Sequence, residues 1–312
     1  MLISVVIPTF NVENYIEKCL NSVLNQTHKN IEIICIDDYS TDNTFSISKS
    51  YREKHSEIIL LRNEKNKGAP FSRNRGLKIA KGEYIQFLDA DDLLLPEKIK
   101  HQVELVSSAK EKPDFVAGNE FWEKTDGTRI EFHKFTRNPW KDLIAGTLGD
   151  TCSNLWKTES LWKINGWNES MKSSQEVDLL FRMMKINPVI LYDDTPLTII
   201  RQRWSGSISK TNRKENLFRQ INSRIEIAEY MNEKGLMEEE IRNVFLRNIF
   251  NSIRCLYRFD RQTAKNFFDK HIPPHFPKSY RSSMTFPYRA LYGILGFIRA
   301  EEIFSIFQKT ER

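Results

Sequence analysis

The sequence predicts an α/β protein: a mostly parallel central sheet in the larger, N-terminal part of the chain, then a helical C-terminal region. Three observations carry that prediction. Apolar, β-branched runs alternate with helical patterns before residue 95. Polar clusters sit where each of those runs ends. After about residue 210 strand signals stop and long helical patterns replace them.

The elements follow in order. Leu2–Pro8 is rich in Val and Ile and reads as a strand buried on both faces. Thr9-Phe10-Asn11 is a turn, and residues 12–25 place Ile16, Cys19, Leu20, Val23 and Leu24 at helical spacing. Ile31–Ile36 is a second buried strand. It ends in Asp37-Asp38-Tyr39-Ser40-Thr41-Asp42-Asn43-Thr44, a run of turn and N-cap residues that opens a helix. Ile58–Leu61 is a third strand, and a helix from about Ala69 to Ala80 ends at Lys81-Gly82. Tyr84–Leu88 is the fourth strand. Strands and helices alternating in this way argue for a parallel sheet with right-handed crossovers. Ligands of such sheets bind outside the carboxyl ends of the strands, where all of the polar clusters fall.

The middle region is less regular. A helix is expected over Pro96–Ala109, a strand over Asp114–Ala117 and a hairpin over Phe121–Arg137 turning at Asp126-Gly127. Residues 158–163 and 175–186 read as helices, and 189–201 as a strand interrupted near Asp193-Asp194. Helical patterns then cover 213–233, 237–258 and about 262–270. Ile272-Pro273-Pro274-His275-Phe276-Pro277 breaks the series, and an apolar tail runs over Pro287–Phe307. The sequence contains no internal repeat and no low-complexity segment.

Bulk composition excludes several classes. The chain has 312 residues, 40% hydrophobic and 28% charged, which suits a soluble globular protein of about two domains. No run approaches the ~20 apolar residues that span a bilayer. The N-terminus enters a strand at once with no basic leader, so no signal peptide is expected and the protein reads as cytoplasmic. Cys19, Cys35, Cys152 and Cys255 are widely spaced and read as reduced thiols. The net charge of +6 is uneven: residues from 201 onward hold 21 Lys/Arg and 12 Asp/Glu. Between 270 and 300 the chain carries Lys270, Lys278, Arg281, Arg289 and Arg299 and no acid. This span and its apolar neighbours suggest peripheral contact with a membrane; a helical cap or a homodimer surface is the competing reading. Nucleic-acid binding is not expected, because no recognisable module accompanies the basic residues.

The chemistry concentrates in Phe87-Leu88-Asp89-Ala90-Asp91-Asp92, where an apolar strand runs into three carboxylates. Acids packed this closely repel one another unless a cation lies between them. Asp89 and Asp91 alternate on an extended backbone and can share a face. Carboxylate oxygens at a strand end suit a hard divalent ion, Mn²⁺ or Mg²⁺, of the kind that also holds a diphosphate. The sequence lacks the glycine-rich dinucleotide fingerprint, the P-loop, the paired-histidine zinc motif and the hydrolase nucleophile elbow.

Four ordered motifs give a resemblance. They are Ser4-Val5-Val6-Ile7-Pro8-Thr9-Phe10-Asn11; Ile36 through Asp42; Asn66-Lys67-Gly68 with Arg73-Asn74-Arg75-Gly76; and Phe87 through Asp92. With these the chain resembles glycosyltransferase family 2, closely over residues 3–95 and loosely over 150–210, and not after 210. The resemblance implies the GT-A fold, a nucleotide-sugar donor, a divalent metal (Mn or Mg) and inverting transfer to an acceptor hydroxyl, in bacterial surface polysaccharide or lipopolysaccharide synthesis. A carbohydrate or lipid-linked saccharide would be the acceptor. It also implies three parts: residues 1–95 as the nucleotide-sugar-binding half, 96–210 as the acceptor-binding half, and 211–312 as a helical region. By the same resemblance Pro8, Thr9 and Glu13 line the nucleotide pocket, Asp37 or Asp38 bonds the base, and Arg73 lies near the donor. Asp89 faces the ribose and sugar and shares the metal, and Asp91 is the main metal ligand. Asp92 either supports that ligand set or caps the helix near Pro96.

Two departures from the family pattern matter. Family members carry a Glu-Asp pair at the start of a helix, with the Asp as base; here Gln175-Glu176 occupies that place, which makes Glu176 the base. Asp178 is the rival, although it stands four residues before Arg182 and suits a helix-surface ion pair. Many members also place a histidine ligand in a stretch like Arg201–Ser209, which here contains none. Arg203 falls about there and is the candidate for binding the diphosphate in its place. Trp162, Trp167 and Trp204 are candidates for stacking on acceptor sugars, with core packing as the alternative. A different class of function, a non-catalytic nucleotide-sugar-binding or scaffold protein of the same fold, would not need Asp89, Asp91 and Glu176 intact.

Overall fold

A computed structural model describes residues 1–132, 135–202, 212–273 and 284–309, with side chains in the last helix described as far as Phe304. The chain divides into two compact units, Met1–Gly206 and Ser207–Arg312.

The first unit is built on a sheet of nine strands among the described residues, in the order β3-β2-β1-β4-β8-β6-β9-β5, with β7 paired to β6. β1 (Ile3–Thr9), β2 (Ile31–Asp37), β3 (Ile58–Arg62) and β4 (Tyr84–Phe87) form its parallel part. Their apolar runs are continuous because both faces are covered. Ile3, Val5, Ile7, Ile33 and Cys35 pack with Ile16, Cys19, Leu20 and Val23 of α1 (Ile16–Leu24) and with Ile99 and Val106 of α4 (Lys98–Ser108). Val6 points to the other face, where α3 (Ala69–Ile79) packs so closely that a Cβ on Gly76 would lie 2.3 Å from Val6 Cγ1. Register lines up the strand ends: Thr9 pairs with Asp37, and Asp37 with Arg62.

The other part of the sheet is mixed. β6 (Phe115–Glu123) runs parallel to β9 (Ile190–Arg201) and antiparallel to β7 (Arg129–Glu131) and β8 (Leu155–Lys157). Gly118 pairs with Asp193 and Glu120 with Thr198, so β9 loops out after Asp193, where the sequence predicts an interruption. The hairpin turning at Asp126-Gly127 is present over Phe121–Glu131, and β6 extends well beyond the predicted Asp114–Ala117. β5 (Leu93–Leu94) and β8 have no counterpart in the prediction; two or three residues carry no periodicity. β5 pairs antiparallel with β9 at the far edge. Four inter-strand spacings of about 4.8 Å separate β4 from β5 along the sheet, and only residues 88–92 connect them. Those residues turn back on themselves, with Asp92 N–H donating to Asp89 O at 2.9 Å. The sheet must therefore curl, which brings the ends of β1, β4 and β9 around the acidic turn.

α2 (Thr44–Lys54), α5 (Pro139–Ala145), α6 (Thr158–Lys163) and α7 (Gln175–Lys185) complete the unit. The second unit is helical: α8 (Arg213–Glu233), α9 (Glu239–Tyr257), α10 (Arg261–His271) and α11 (Phe286–Lys309). Gly296, at φ 73°, breaks α11 into two runs. Its core joins Phe250, Phe268 and Phe297, the last two stacked at 4.2 Å, to a partly buried Arg254–Glu301 pair whose guanidinium lies 3.5 Å from the centre of the Tyr288 ring.

Candidate active site

The loops after β1 and β2 are laced together. Thr9 O accepts from Asp38 N–H at 2.8 Å, and Asn11 Oδ1 from Thr41 N–H at 2.9 Å. Glu13 and the start of α2 clamp each other: Glu13 Oε2 accepts from Asn43 N–H at 3.0 Å, and Asp42 Oδ2 accepts from Glu13 N–H at 3.1 Å. Thr9 is buried with its hydroxyl oxygen unpartnered, and Pro8 beside it is half-buried. Asp37 pairs with Arg62 at 3.1 Å and takes Ser40 N–H on the same oxygen, leaving Oδ1 without a partner. Asp38 is used more fully. It accepts from Asn63 Nδ2 at 2.7 Å, Lys67 N–H at 2.9 Å and Gly68 N–H at 2.7 Å, and so fixes the loop that opens α3.

Arg73 projects from the first turns of α3 and is 4% exposed. Its Nη2 donates to Asp89 Oδ1 at 2.6 Å and its Nη1 to Gln175 Oε1 at 2.9 Å, and its guanidinium lies over Trp167 at 4.4 Å. Burial works against its charge, and the Asp89 carboxylate more than offsets that, so its pKa is raised. One guanidinium thus joins the acid after β4 to the first residue of α7. Gln175 serves as the acceptor through its amide oxygen.

Beyond Asp89 the carboxylates crowd. Asp92 is 5% exposed and accepts from Arg201 N–H at 2.8 Å and from the Cys152 thiol at 3.5 Å. Arg201 Nε donates to Asp91 O, so the last residue of β9 holds the turn by main chain and side chain. Burial, then Asp91 and Asp89, push the Asp92 carboxyl well above its ordinary range. Burial, then Glu120 and Glu176, do the same to Asp150. Cys152 Sγ also accepts from Asp89 N–H at 3.2 Å. Ligating atoms of Asp89, Asp92 and Cys152 all lie within 4.8 Å of one another. Burial first, and then the neighbouring carboxylates, raise the pKa of Asp92, Asp150 and Cys152, and Asp89, Asp92 and Cys152 are placed so that they could hold a metal ion.

Glu176 stands one residue after Gln175, close enough to Arg73 and Asp150 to shift both. Asp178 is bound to Arg182 at 2.9 and 2.7 Å, and Arg182 also donates to the carbonyls of Ile164 and Gly166. The two carbonyl bonds fasten α7 to the loop after α6, and the Asp178 bonds hold the guanidinium along the helix.

The structure therefore gathers Arg73, Asp89, Asp91 and Glu176 around one cluster, with Pro8, Thr9, Glu13, Asp37 and Asp38 on the neighbouring loops. Trp167 is buried beneath Arg73 and Trp162 is 47% exposed. Arg203 and Trp204 lie outside the described residues. Sequence reasoning missed Cys152, Asp150 and Arg201. Cys152 is 60 or more positions from Asp89 and Asp92, and no local pattern announces it. Lys98 was missed as well. It is 1% exposed, its ammonium has no hydrogen-bond partner, and burial lowers its pKa to about 7.

Residues 4–163 match the family described as Glycosyl transferase family 2. An uncharacterized glycosyltransferase of Rickettsia conorii is 31% identical over 229 residues, covering 69% of this chain and 37% of the relative. The Escherichia coli UDP-Glc:alpha-D-GlcNAc-diphosphoundecaprenol beta-1,3-glucosyltransferase WfaP is 43% identical over 123 residues, 39% of this chain and 47% of that one. The chain thus spans less than half the length of these two relatives. Among solved structures, Staphylococcus aureus TarS 1-349 in complex with UDP-GlcNAc superposes with a TM-score of 0.66 at 20% identity, over 99% of this chain and 92% of that one. The mannosyltransferase PcManGT from Pyrobaculum calidifontis, in complex with GDP-Man and Mn²⁺, gives 0.58 at 15% identity, over 98% and 87%. Among the described residues no helix is long and apolar enough to cross a membrane.

Proposed function

The chain belongs to glycosyltransferase family 2 and has the GT-A fold, and from that premise we propose that it moves a sugar, with inversion, from a nucleoside-diphosphate donor to an acceptor hydroxyl. The observation that carries this reading is the shared guanidinium. Arg73 ties Asp89, at the donor end of the parallel strands, to Gln175. It thereby fixes Glu176 beside the acid cluster.

Residues 1–95 would hold the nucleotide. Thr9 and Pro8 wall the pocket, and Asp37, with one oxygen unpartnered, is the acceptor for the base; Asp38 and Glu13 hold the loops in place. Residues 96–210 would present the acceptor. Asp91 and Asp89 would hold a divalent ion, with Asp92 and Cys152 behind them. When bound, that ion supplies Lewis-acid neutralisation of the departing diphosphate. Glu176 takes the proton from the acceptor hydroxyl as its oxygen bonds to the anomeric carbon, while the bond from that carbon to the diphosphate oxygen breaks on the opposite side. Asp178 keeps the base-bearing helix in place through Arg182.

The E. coli relative acts on a diphosphoundecaprenol-linked acceptor, which supports a role here in surface-glycan synthesis at the cytoplasmic face of the membrane. In the helical region, residues 211–312, the exposed stripe of α11 supports a peripheral membrane contact. Phe286 is 72% and Ile294 81% exposed, with Ala290 between them and Arg289 and Arg299 nearby. Co-sedimentation with phosphatidylglycerol vesicles at low salt, reduced severalfold by replacing Phe286 and Ile294 with Ser, is the expected result. Equal recovery in the supernatant with and without vesicles would remove the membrane contact.

The transferase reading is tested by nucleoside-diphosphate release from UDP-glucose, UDP-GlcNAc and GDP-mannose with Mn²⁺. Asp91→Ala and Glu176→Gln should each lower turnover by at least ~10²-fold with folding intact. Donor that binds but is never cleaved would favour a non-catalytic scaffold, and full transfer by Glu176→Gln would remove that residue as the base.

A further inference from the structure

The strands β1, β2 and β3 end in one row. Thr9 pairs with Asp37, and Asp37 with Arg62. Partners in register across parallel strands carry their side chains on the same face. The row holds buried polar atoms that nothing in the chain satisfies. Asp37 is 0% exposed. Its Oδ2 faces Arg62 Nε at 3.1 Å and accepts from Ser40 N–H at 3.1 Å, while its Oδ1 has no partner. Thr9 is 1% exposed, and its hydroxyl oxygen has none either. Arg62 Nη2 donates to Ser40 O at 2.8 Å, which leaves Nη1 over. Burying polar atoms unpaired costs stability, yet Thr9 and Asp37 stand on adjacent strands without bonding each other.

The unused atoms form a pattern of donor, acceptor and donor. A guanidinium only donates, a carboxylate paired with it only accepts, and a hydroxyl does either. Uracil presents the complementary edge, with an N–H between two carbonyl oxygens. Cytosine and adenine put a bare ring nitrogen at the centre of that edge, so that acceptor would meet acceptor. Guanine carries two N–H groups side by side, a pair that matches both oxygens of one carboxylate. Asp37 has one oxygen left, so the second N–H of guanine would find only the Thr9 hydroxyl.

Exposed rings accompany the row. Phe10, 44% exposed, directly follows Thr9, and Tyr39, 47% exposed, comes two residues after Asp37. The Arg62 guanidinium lies 5.3 Å from the centre of the Tyr39 ring. Aromatic rings stack on any base alike, so the choice among bases falls to the polar atoms. Family membership leaves that choice open: one solved structure of this fold carries UDP-GlcNAc and the other GDP-Man.

We propose that Thr9, Asp37 and Arg62 together select the base of the donor, that Arg62 does so by leaving Asp37 a single free oxygen, and that the base is uracil. The proposal rests on the transferase reading and names the nucleotide of that same donor site. Uracil N3–H donates to Asp37 Oδ1, and its two carbonyl oxygens accept from Arg62 Nη1 and from the Thr9 hydroxyl. These residues determine which donor enters; they do not touch the reacting bond. Thymine shares the edge of uracil and differs by its methyl group, so the expected order of affinity is UDP, then dTDP, then GDP, with CDP and ADP last.

The test reads binding and not turnover. Calorimetric titration of the full chain with these five nucleoside diphosphates, each with Mn²⁺, should place CDP and ADP about 10- to 100-fold below UDP. Asp37→Asn should reverse the pyrimidine preference. Its amide oxygen stays with the Arg62 and Ser40 donors, so its amino group takes the place of Oδ1. There it donates to the ring nitrogen of cytosine and opposes the N–H of uracil, and CDP should bind more tightly than UDP. Arg62→Ala removes one donor and frees part of Asp37 Oδ2, so UDP should weaken about tenfold and the UDP-to-GDP ratio should narrow. Thermal melts show whether each variant is folded, and the wild-type series decides without them. The proposal is overturned if CDP or GDP binds the wild type as tightly as UDP, or if folded Asp37→Asn keeps the wild-type order. Diphosphates that all bind alike would remove the base selection and leave the transferase reading standing. Selective UDP binding with no sugar ever released would do the reverse.

Discussion

Asp38 follows β2 and Asp92 follows β4 in the parallel part of the sheet, yet donors surround Asp38 while burial and carboxylates act on Asp92. Arg62, Ser40 N–H, Asn63, Lys67 N–H and Gly68 N–H converge on Asp37 and Asp38. Asp92 receives one backbone N–H and one thiol, and burial, then Asp91 and Asp89, raise its pKa. The same residue type at the same kind of strand end is held by donors at Asp38 and pressed by carboxylates at Asp92. Sequence position identifies the strand end. The donors that arrive from elsewhere in the chain decide which of the two an aspartate becomes.

The largest effect should come from breaking the donor-held site. Asp38→Ala leaves Lys67 N–H and Gly68 N–H without their acceptor and the buried Asn63 amide with Ser72 Oγ, a loss of about 2–3 kcal/mol. Urea unfolding should show a lower midpoint with an unchanged slope. If the midpoint holds and donor affinity falls instead, Asp38 faces the ligand and the contrast between the two pairs collapses.

That contrast also explains what could be read from the sequence. The four parallel strands were legible because burial on both faces makes each a continuous apolar run. The motifs after them were legible because each loop is contiguous. The sequence left Asp37 and Asp38 as alternatives; the approach of Asn63, Lys67 and Gly68 to Asp38 has no local trace. It left Asp92 between supporting the ligand set and capping the helix near Pro96, because Arg201 and Cys152 reach it from 109 and 60 positions away. The Arg73–Gln175 bond spans 102 positions and has no local trace.

A smaller effect, of opposite sign, should come from the crowded pair. The folded-state pKa of Asp92 is raised, so the folded protein holds a proton that the unfolded chain has already released. Stability is therefore favoured below that pKa and is lost as pH rises from the ordinary carboxylate range through the raised value. Asp92→Asn cannot ionise. Its Oδ1 can still accept Arg201 N–H, so the clamp on the turn survives the substitution. With metal chelated, this variant should match the wild type near pH 4 and exceed it by on the order of 1 kcal/mol at pH 8, the scale of an ordinary single substitution. Adding Mn²⁺ should reverse the ranking, because a cation that binds only the folded state stabilises the protein with the fuller set of carboxylates. Thermal melts at the two pH values, with chelator and with Mn²⁺, measure all four quantities. A wild type that gains nothing from Mn²⁺ at pH 8 would mean that the charges around Asp92 are balanced from within the chain, and the two aspartate pairs would then differ only in which residues supply their partners.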